Sequence, residues 1–265
     1  MITTKSLQEL KTMRHSGRIV AQVHALMKEH IRPGITTAEL DALAEAHIRA
    51  QGAIPTFKGY RGFPATLCIS VNEQVIHGFP GKYKLKEGDV VSVDCGATWK
   101  GYVGDSAWTY RVGAVSAGCE ALLKATEESL WRAIDTARVG NRLYDIGFAV
   151  QSHVEPMGYG VVKDYCGHGV GTRLHEDPSV PNFGQRGTGP RLKAGWVLAL
   201  EPMVNMGTDE VRTLSDKWTV VTLDNKPSAH FEHTIAITEQ GPIVLTALND
   251  EIAYRFHSQP GVLEA

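Results

Sequence analysis

Apolar positions at spacings of three and four open the chain. Leu10, Met13, Gly17, Val20, His24 and Met27 form one stripe and predict a helix over residues 7–30, with a small residue where another element could approach. Pro33-Gly34 ends it. Thr36 with Glu39 fits a capping box for a second helix over 37–51, with Leu40, Leu43, Ala44 and His47 or Ile48 inward. Residues 52–84 change character, because glycines and prolines punctuate the aromatics Phe57, Tyr60 and Phe63. A short strand is expected over 66–71, and His77 falls between a strand and a Gly/Pro turn. The pattern then becomes a hairpin: a strand from Val90 to Cys95, a tight turn through Gly96 to Gly101, and a returning strand to Tyr110.

After the hairpin, Ser116 is the expected N-cap of a helix through Leu122, Leu123, Thr126, Leu130, Ile134 and Ala137. Gly140 separates it from a helix over 143–153, which Pro156 ends. Prolines and glycines between 178 and 190 mark an extended connection to a strand at 197–201. Residues 202–230 read as a hairpin with Trp218 on one arm. In residues 231–238, Glu232, Thr234, Ala236 and Thr238 alternate with Phe231, His233, Ile235 and Ile237. The tail from Asn249 lacks periodicity and is expected to be peripheral.

The pattern repeats. Leu85-Lys86-Glu87-Gly88 and Val90 to Asp94 align without a gap onto Leu192-Lys193-Ala194-Gly195 and Val197 to Glu201, so Asp94 falls on Glu201 at an offset of 107. Upstream, Arg32, Gly34, Leu40, His47 and Gly52 match Arg138, Gly140, Ile146, His153 and Gly158 at an offset of 106. This is an internal duplication of a helix, helix, hairpin unit. No low-complexity linker divides the copies, and their symmetry requires one shared sheet and one core. One domain over 1–265 follows, with halves at about 7–115 and 116–247 and a short tail.

Composition adds little. The chain has 265 residues, 43% hydrophobic and 21% charged, with a net charge of −2, so nothing in the overall balance points to nucleic acid. Cys68, Cys95, Cys119 and Cys166 show neither CxxC spacing nor the density of a disulfide scaffold. The opening MITTKSLQELKTM lacks a signal-peptide core, and no run approaches the roughly 18 apolar residues of a membrane span. These features predict a soluble protein of a reducing compartment, most simply the cytoplasm.

Asp94 and Asp105 lie near the middle of a hairpin rich in Val, Cys and Trp, where carboxylates are costly to desolvate without a compensating cation or donor. His168 and His175 lie seven apart across Gly167, Gly169 and Gly171, spacing unlike a phosphate-binding loop because no GK[ST] follows. With Glu201 and Glu232, the inventory is rich in carboxylates with a single imidazole, suited to a divalent pair. Spacing alone leaves open a dinuclear hydrolase or a noncatalytic metal-stabilised protein.

Five motifs in order carry a resemblance: SVNEQVIHGFP, VSVDCGATWKGYVGDSAWTY, CGHGVGTRLHEDP, LALEPM and SAHFEHTIAITEQG. With them the chain resembles, over about residues 5–247, the type I methionine aminopeptidases, which share a pita-bread fold with aminopeptidase P and creatinase. The resemblance implies an α+β duplicated pita-bread fold with a pseudo-two-fold related antiparallel sheet covered by helices. It implies that Asp94, Asp105, His168, Glu201 and Glu232 are the ligands of two divalent metal ions (Co, Mn, Fe or Zn), with Asp105 and Glu232 bridging. The implied reaction is removal of the initiator methionine from nascent proteins whose next residue is small. In it Glu201 relays a proton, His175 donates to the carbonyl oxygen, and His77 orients the substrate.

Tyr60, Phe63, Cys68, Leu174 and Trp218 are the implied methionine pocket. Here Leu174 stands where relatives commonly have Phe, and Phe63 where they often have Tyr. Backbone carbonyls at Asn72, Gln74 and Ser228 match a site for a monovalent Na or K ion. The implied partners are nascent N-termini, with a transient ribosome contact and no membrane, and the expected state is a monomer. A compact bacterial-like form is expected, lacking the zinc-binding extension of eukaryotic relatives. The alternatives are an X-Pro aminopeptidase, or a noncatalytic pita-bread protein that binds nascent chains, ribosomes or RNA.

Overall fold

Two ten-residue strands joined by a two-residue turn form the backbone of the first half in the computed structural model, which describes residues 2–263. In chain order the elements begin with α1 (Leu7–His30), α2 (Thr37–Ala50), β1 (Ile54–Pro55), β2 (Leu67–Val71), β3 (Gln74–Ile76), β4 (Val90–Trp99) and β5 (Tyr102–Arg111). Next come α3 (Ala117–Thr136), α4 (Leu143–Val154), β6 (Gly160–Val161), β7 (Gly167–Gly169), β8 (Glu176–Val180), β9 (Val197–Leu200) and β10 (Met203–Asn205). The chain continues through β11 (Val211–Thr213), β12 (Val220–Thr222), β13 (Ser228–His230), β14 (His233–Ala236), β15 (Ile243–Val244) and α5 (Asp250–Ala253).

The helices begin where local chemistry starts them. Thr36 and Glu39 form the expected reciprocal box at α2, Ser6 and Glu9 form another at α1, and the Ser116 hydroxyl accepts from Cys119 N–H at α3. Gly17 is where α1 meets other backbone: a Cβ there would collide with the Leu245 carbonyl, and one on Gly104 of β5 would lie 2.7 Å from Gly17 N. Helices α1 and α2 lie on the β4–β5 side of the molecule, and α3 and α4 pack against the strands of the second half.

The hairpin turn is shorter than the sequence pattern predicts. Strand β4 runs through Gly96 to Trp99, and only Lys100 (φ 46°) and Gly101 (φ 79°) make the turn. These left-handed conformations match the twist of a two-residue hairpin. Gly96 is a strand residue, and its missing side chain leaves room for Phe57, whose Cε1 would lie 2.7 Å from a Cβ at that position.

The copies are not joined by one continuous ladder. Among the described residues four separate sheets form: β4 with β1, β2 and β5; β13-β10-β6; β11-β12-β3; and β15-β14-β9-β7-β8. Between β5 and the segment carrying β13 and β14, side-chain hydroxyls take over the ladder's work. Thr109 Oγ1 donates to the His230 carbonyl, Ser106 Oγ to that of Glu232 and Thr234 Oγ1 to that of Asp105, while Glu232 N–H donates to Ala107 O at 2.8 Å. Buried backbone groups at this seam are thereby satisfied without strand pairing. One large apolar cluster spans both halves, and a second, from Ile19 to Val112, lies within the first half.

The sequence offset has counterparts in bonds. Leu85 N–H donates to Ile35 O and Leu192 N–H to Asn141 O, each at 2.9 Å. His47 Nε2 lies 3.0 Å from Gln22 Oε1, and His153 Nε2 lies 3.2 Å from Glu128 Oε2. Gly88 and Gly195 both take positive φ, 91° and 85°.

Two further expectations are corrected. Trp218 sits in the turn between β11 and β12 rather than on an arm. The tail is not peripheral: Ala253, Tyr254 and Leu263 are buried, and the buried Arg14 donates to the carbonyls of Leu245 and Ala247 and pairs with Asp250. A guanidinium with five donors can close a chain segment whose own periodicity carries no signal.

Candidate metal centre

Register places the carboxylates. In the β4–β5 ladder Asp94 faces Ala107 and Asp105 faces Gly96, so both acids lie on one face as diagonal neighbours, about 7 to 8 Å apart at Cα. Cys68 pairs with Asp94 from β2 and shares that face. In the second half, His168 pairs with Ala199, and Glu201 follows two residues later, on the same face. His233 pairs with Leu200, so the residues just beyond, Glu232 and Glu201, oppose one another where that ladder ends. The bond from Glu232 N–H to Ala107 O then brings the second-half acids against Asp105.

Together they line a cavity of about 210 Å³. Asp105, His168 and Glu232 each offer a ligand atom within 4.8 Å of the others, and all three are buried. His168 Nε2 is 3.7 Å from Asp105 Oδ2 and 3.5 Å from Glu201 Oε1. Asp94 Oδ1, Asp105 Oδ1 and Glu232 Oε1 are buried without a hydrogen-bond partner. Native interiors rarely tolerate such orphans, so their convergence on one cavity marks a site for a divalent cation.

Electrostatics agree. Burial, and then the charges of Asp105 and their other carboxylate neighbours, push Asp94, Glu201 and Glu232 well above the carboxylate range. Burial pushes Asp105 up to about 7. A cation would reverse these shifts, because it favours the ionised forms that the protein interior disfavours. Burial, with His175 adding to it, pulls His168 down to about 4 and keeps its imidazole in the neutral form that ligates metals.

The remaining predicted residues divide. His77, His175, Tyr60, Phe63, Cys68, Leu174 and Trp218 all line the same cavity. Phe63 meets Trp218 edge-on at 5.2 Å, and Trp218 meets His77 edge-on at 6.1 Å, so an aromatic wall is assembled from both halves. Burial and the nearby carboxylates raise the Cys68 thiol far above its usual range, which removes it as a nucleophile. Asn72, Gln74 and Ser228 do not line the cavity. Ser228 N–H donates to the Asn72 carbonyl at 2.9 Å, and Asn72 takes a positive φ of 55°.

Phe57, Arg61, Ile76, Tyr165 and Cys166 also line the cavity and were not in the sequence-derived set. Neither was His230, whose buried Nε2 lies 3.7 Å from Glu201 Oε2. A signal existed for it: a histidine two residues before Glu232 in an extended segment shares that residue's face.

Residues 11–239 match the model of metallopeptidase family M24. Methionine aminopeptidase 1 of Bacillus subtilis (strain 168) is 56% identical over 246 residues, covering 93% of this chain and 99% of that one. The methionine aminopeptidase of Clostridium perfringens is 55% identical over 248 residues, 94% of this chain and 100% of that one. The crystal structure of methionine aminopeptidase from Thermotoga maritima superposes with a TM-score of 0.92 at 44% identity, covering 93% of this chain and 100% of that one. A prolidase from Pyrococcus furiosus shares the fold at a TM-score of 0.75 and 22% identity, covering 93% of this chain and 66% of that one.

Proposed function

We propose that this chain, which belongs to metallopeptidase family M24, is a metal-dependent methionyl aminopeptidase that removes the initiator methionine from nascent proteins and peptides whose second residue is small. The observation that carries the reading is the buried Asp105, His168 and Glu232 triad, which lines a cavity together with aromatic side chains. The fold is the α+β pita-bread type of the methionine aminopeptidases it superposes on. We take residues 1–265 as one duplicated domain working as a monomer.

Asp94, Asp105, His168, Glu201 and Glu232 would hold two divalent ions, Co, Mn, Fe or Zn, which when bound polarise the scissile carbonyl and make a water nucleophilic at neutral pH. Glu201 takes the proton released in the attack and gives it to the leaving amine, a shuttle that a carboxylate beside the reacting water can perform. His175 donates to the carbonyl oxygen as negative charge develops there. His77, pulled down to about 4 by burial and the neighbouring His175, stays neutral and orients the peptide with its N–H. Tyr60, Phe63, Cys68, Leu174 and Trp218 bury the unbranched thioether, and the metal site, by holding the free amino terminus, would place the cut at the first peptide bond.

A monovalent Na or K ion is assigned to backbone carbonyls at Asn72, Gln74 and Ser228. Because nascent N-termini are the substrate, the protein works in the cytoplasm, in transient contact with the ribosome. No helix among the described residues is long and apolar enough to cross a membrane.

The test is product analysis by mass. Metal-reconstituted protein is incubated with Met-Ala-Ser, Met-Leu-Ser and Ala-Pro-Ser. Methionine release confined to the first peptide is the expected result. Cleavage of Ala-Pro-Ser would transfer the chain to the X-Pro class, and no cleavage at matched metal content would defeat the hydrolytic reading.

A further inference from the structure

Tyr60 lines the cavity, but its hydroxyl is not directed at an apolar side chain. It lies 2.8 Å from His175 Nδ1, and the two rings are tilted at 39° with centroids 5.5 Å apart. On its other flank the His175 ring meets His168 at 4.3 Å. The tyrosine reaches this position through an unusual backbone: Gly59 (φ 91°), Arg61 (φ 48°) and Gly62 (φ 88°) are all left-handed around it. Bonds from Gly59 N–H to Phe63 O and from Phe63 N–H to Tyr60 O close the turn on itself. A non-glycine residue held at positive φ costs energy that the surroundings must offset, so the turn is built to present Tyr60.

We infer that Tyr60 is a positioning residue for His175: its hydroxyl bond to Nδ1 holds the imidazole in the tautomer that carries its proton on Nε2. A phenol is the stronger donor of the two groups and an imidazole nitrogen the stronger acceptor, so the bond runs from Tyr60 O–H to Nδ1. The proton must then reside on Nε2, the ring nitrogen left for the substrate. The opposite tautomer would offer a lone pair to the developing oxyanion and repel it. Pinning the ring between Tyr60 and His168 also fixes its orientation before substrate arrives, which is where a preorganised donor gains its advantage. This rests on the role given to His175 above, and it gives Tyr60 a different task from lining the methionine pocket.

The test is Tyr60→Phe, which removes the hydroxyl and keeps the ring. Loss of one neutral hydrogen bond predicts a fall in kcat for Met-Ala-Ser of roughly fivefold to tenfold, with KM and the methionine-to-norleucine ratio nearly unchanged. In a His175→Ala background the same change should cost nothing further. On zinc-loaded protein labelled with 15N-histidine, the His175 ring signals should shift from the Nε2–H pattern toward a tautomer mixture. An unchanged 15N pattern, or a loss confined to KM and side-chain discrimination, would overturn the inference and leave Tyr60 as pocket wall. If the wild type releases no methionine, the proposed function fails, while the 15N measurement still decides the tautomer.

Discussion

His230 Nε2 lies 3.7 Å from Glu201 Oε2, buried and without a hydrogen-bond partner. The strand register that pairs His230 with Met203 places it beside the start of the segment that follows Glu201. A closer approach of about 0.5 to 1 Å would turn this contact into a hydrogen bond, so His230 is expected to steer the orientation of Glu201. His230→Ala should lower kcat by roughly tenfold to a hundredfold, the usual scale for a group that orients a ligand, and His230→Gln, which keeps a donor, should recover most of it. Steady-state kinetics at matched metal content measure both. Equal turnover of the alanine variant and wild type would exclude the role.

Glu201→Gln should abolish turnover while leaving peptide-analogue binding largely intact. The amide occupies the same volume and cannot relay a proton as the carboxylate does. The comparison is kcat against inhibitor affinity in samples of equal metal content, and near-wild-type turnover would remove Glu201 from its assigned role.

Leu174 is buried against the cavity where an aromatic ring would contact a thioether sulfur. Leu174→Phe should favour methionine over norleucine by about 0.3 to 1.5 kcal/mol, provided the ring fits without overpacking. The measured quantity is the ratio of kcat/KM for Met-Ala-Ser and norleucine-Ala-Ser. A ratio that does not move would show that position 174 contributes nothing to this discrimination.

His24 is held between the Tyr110 hydroxyl and the Ser106 carbonyl, and burial pulls it from its ordinary 6.5 down to about 4. Its folded pKa is thus below its unfolded one, so the unfolded chain binds the extra proton between these values. Stability is complete above pH 6.5 and is lost as pH falls toward 4. Relative to pH 8, this one group should cost about 2 kcal/mol by pH 5. Urea unfolding of wild type and His24→Gln at both pH values isolates it from other titrating groups. The variant should lose less stability than wild type on acidification, and parallel losses would refute the prediction.

Helix limits were legible in the sequence because their causes are local. The Thr36 and Glu39 box and the stripe from Leu10 to Met27 lie within a few turns of what they specify, and α1 and α2 match them to within a residue. The acids were legible for another reason: Asp94 and Glu201 occupy equivalent places in a repeated unit, and the motifs around all five candidate ligands are distinctive. The length of the hairpin turn was less so. Gly96 and Gly101 read alike in sequence, but Gly96 pairs with Asp105 in the ladder beneath Phe57, whereas Gly101 takes a positive φ in the turn.

What the tertiary structure alone decided depends on partners far along the chain. Alternation puts His230 on the face of Glu232, but both faces of β13 and β14 are buried, so the pattern could not say that it meets Glu201. The pairing of His230 with Met203 decided it. The seam between the halves, closed by Ser106, Thr109 and Thr234 hydroxyls and by the bond from Glu232 N–H to Ala107 O instead of a ladder, is invisible to periodicity because isolated bonds make it. The tail behaves likewise: a buried arginine 236 positions away from Asp250 holds it to α1, and a contact of that span leaves no mark on the local pattern that sequence reading detects.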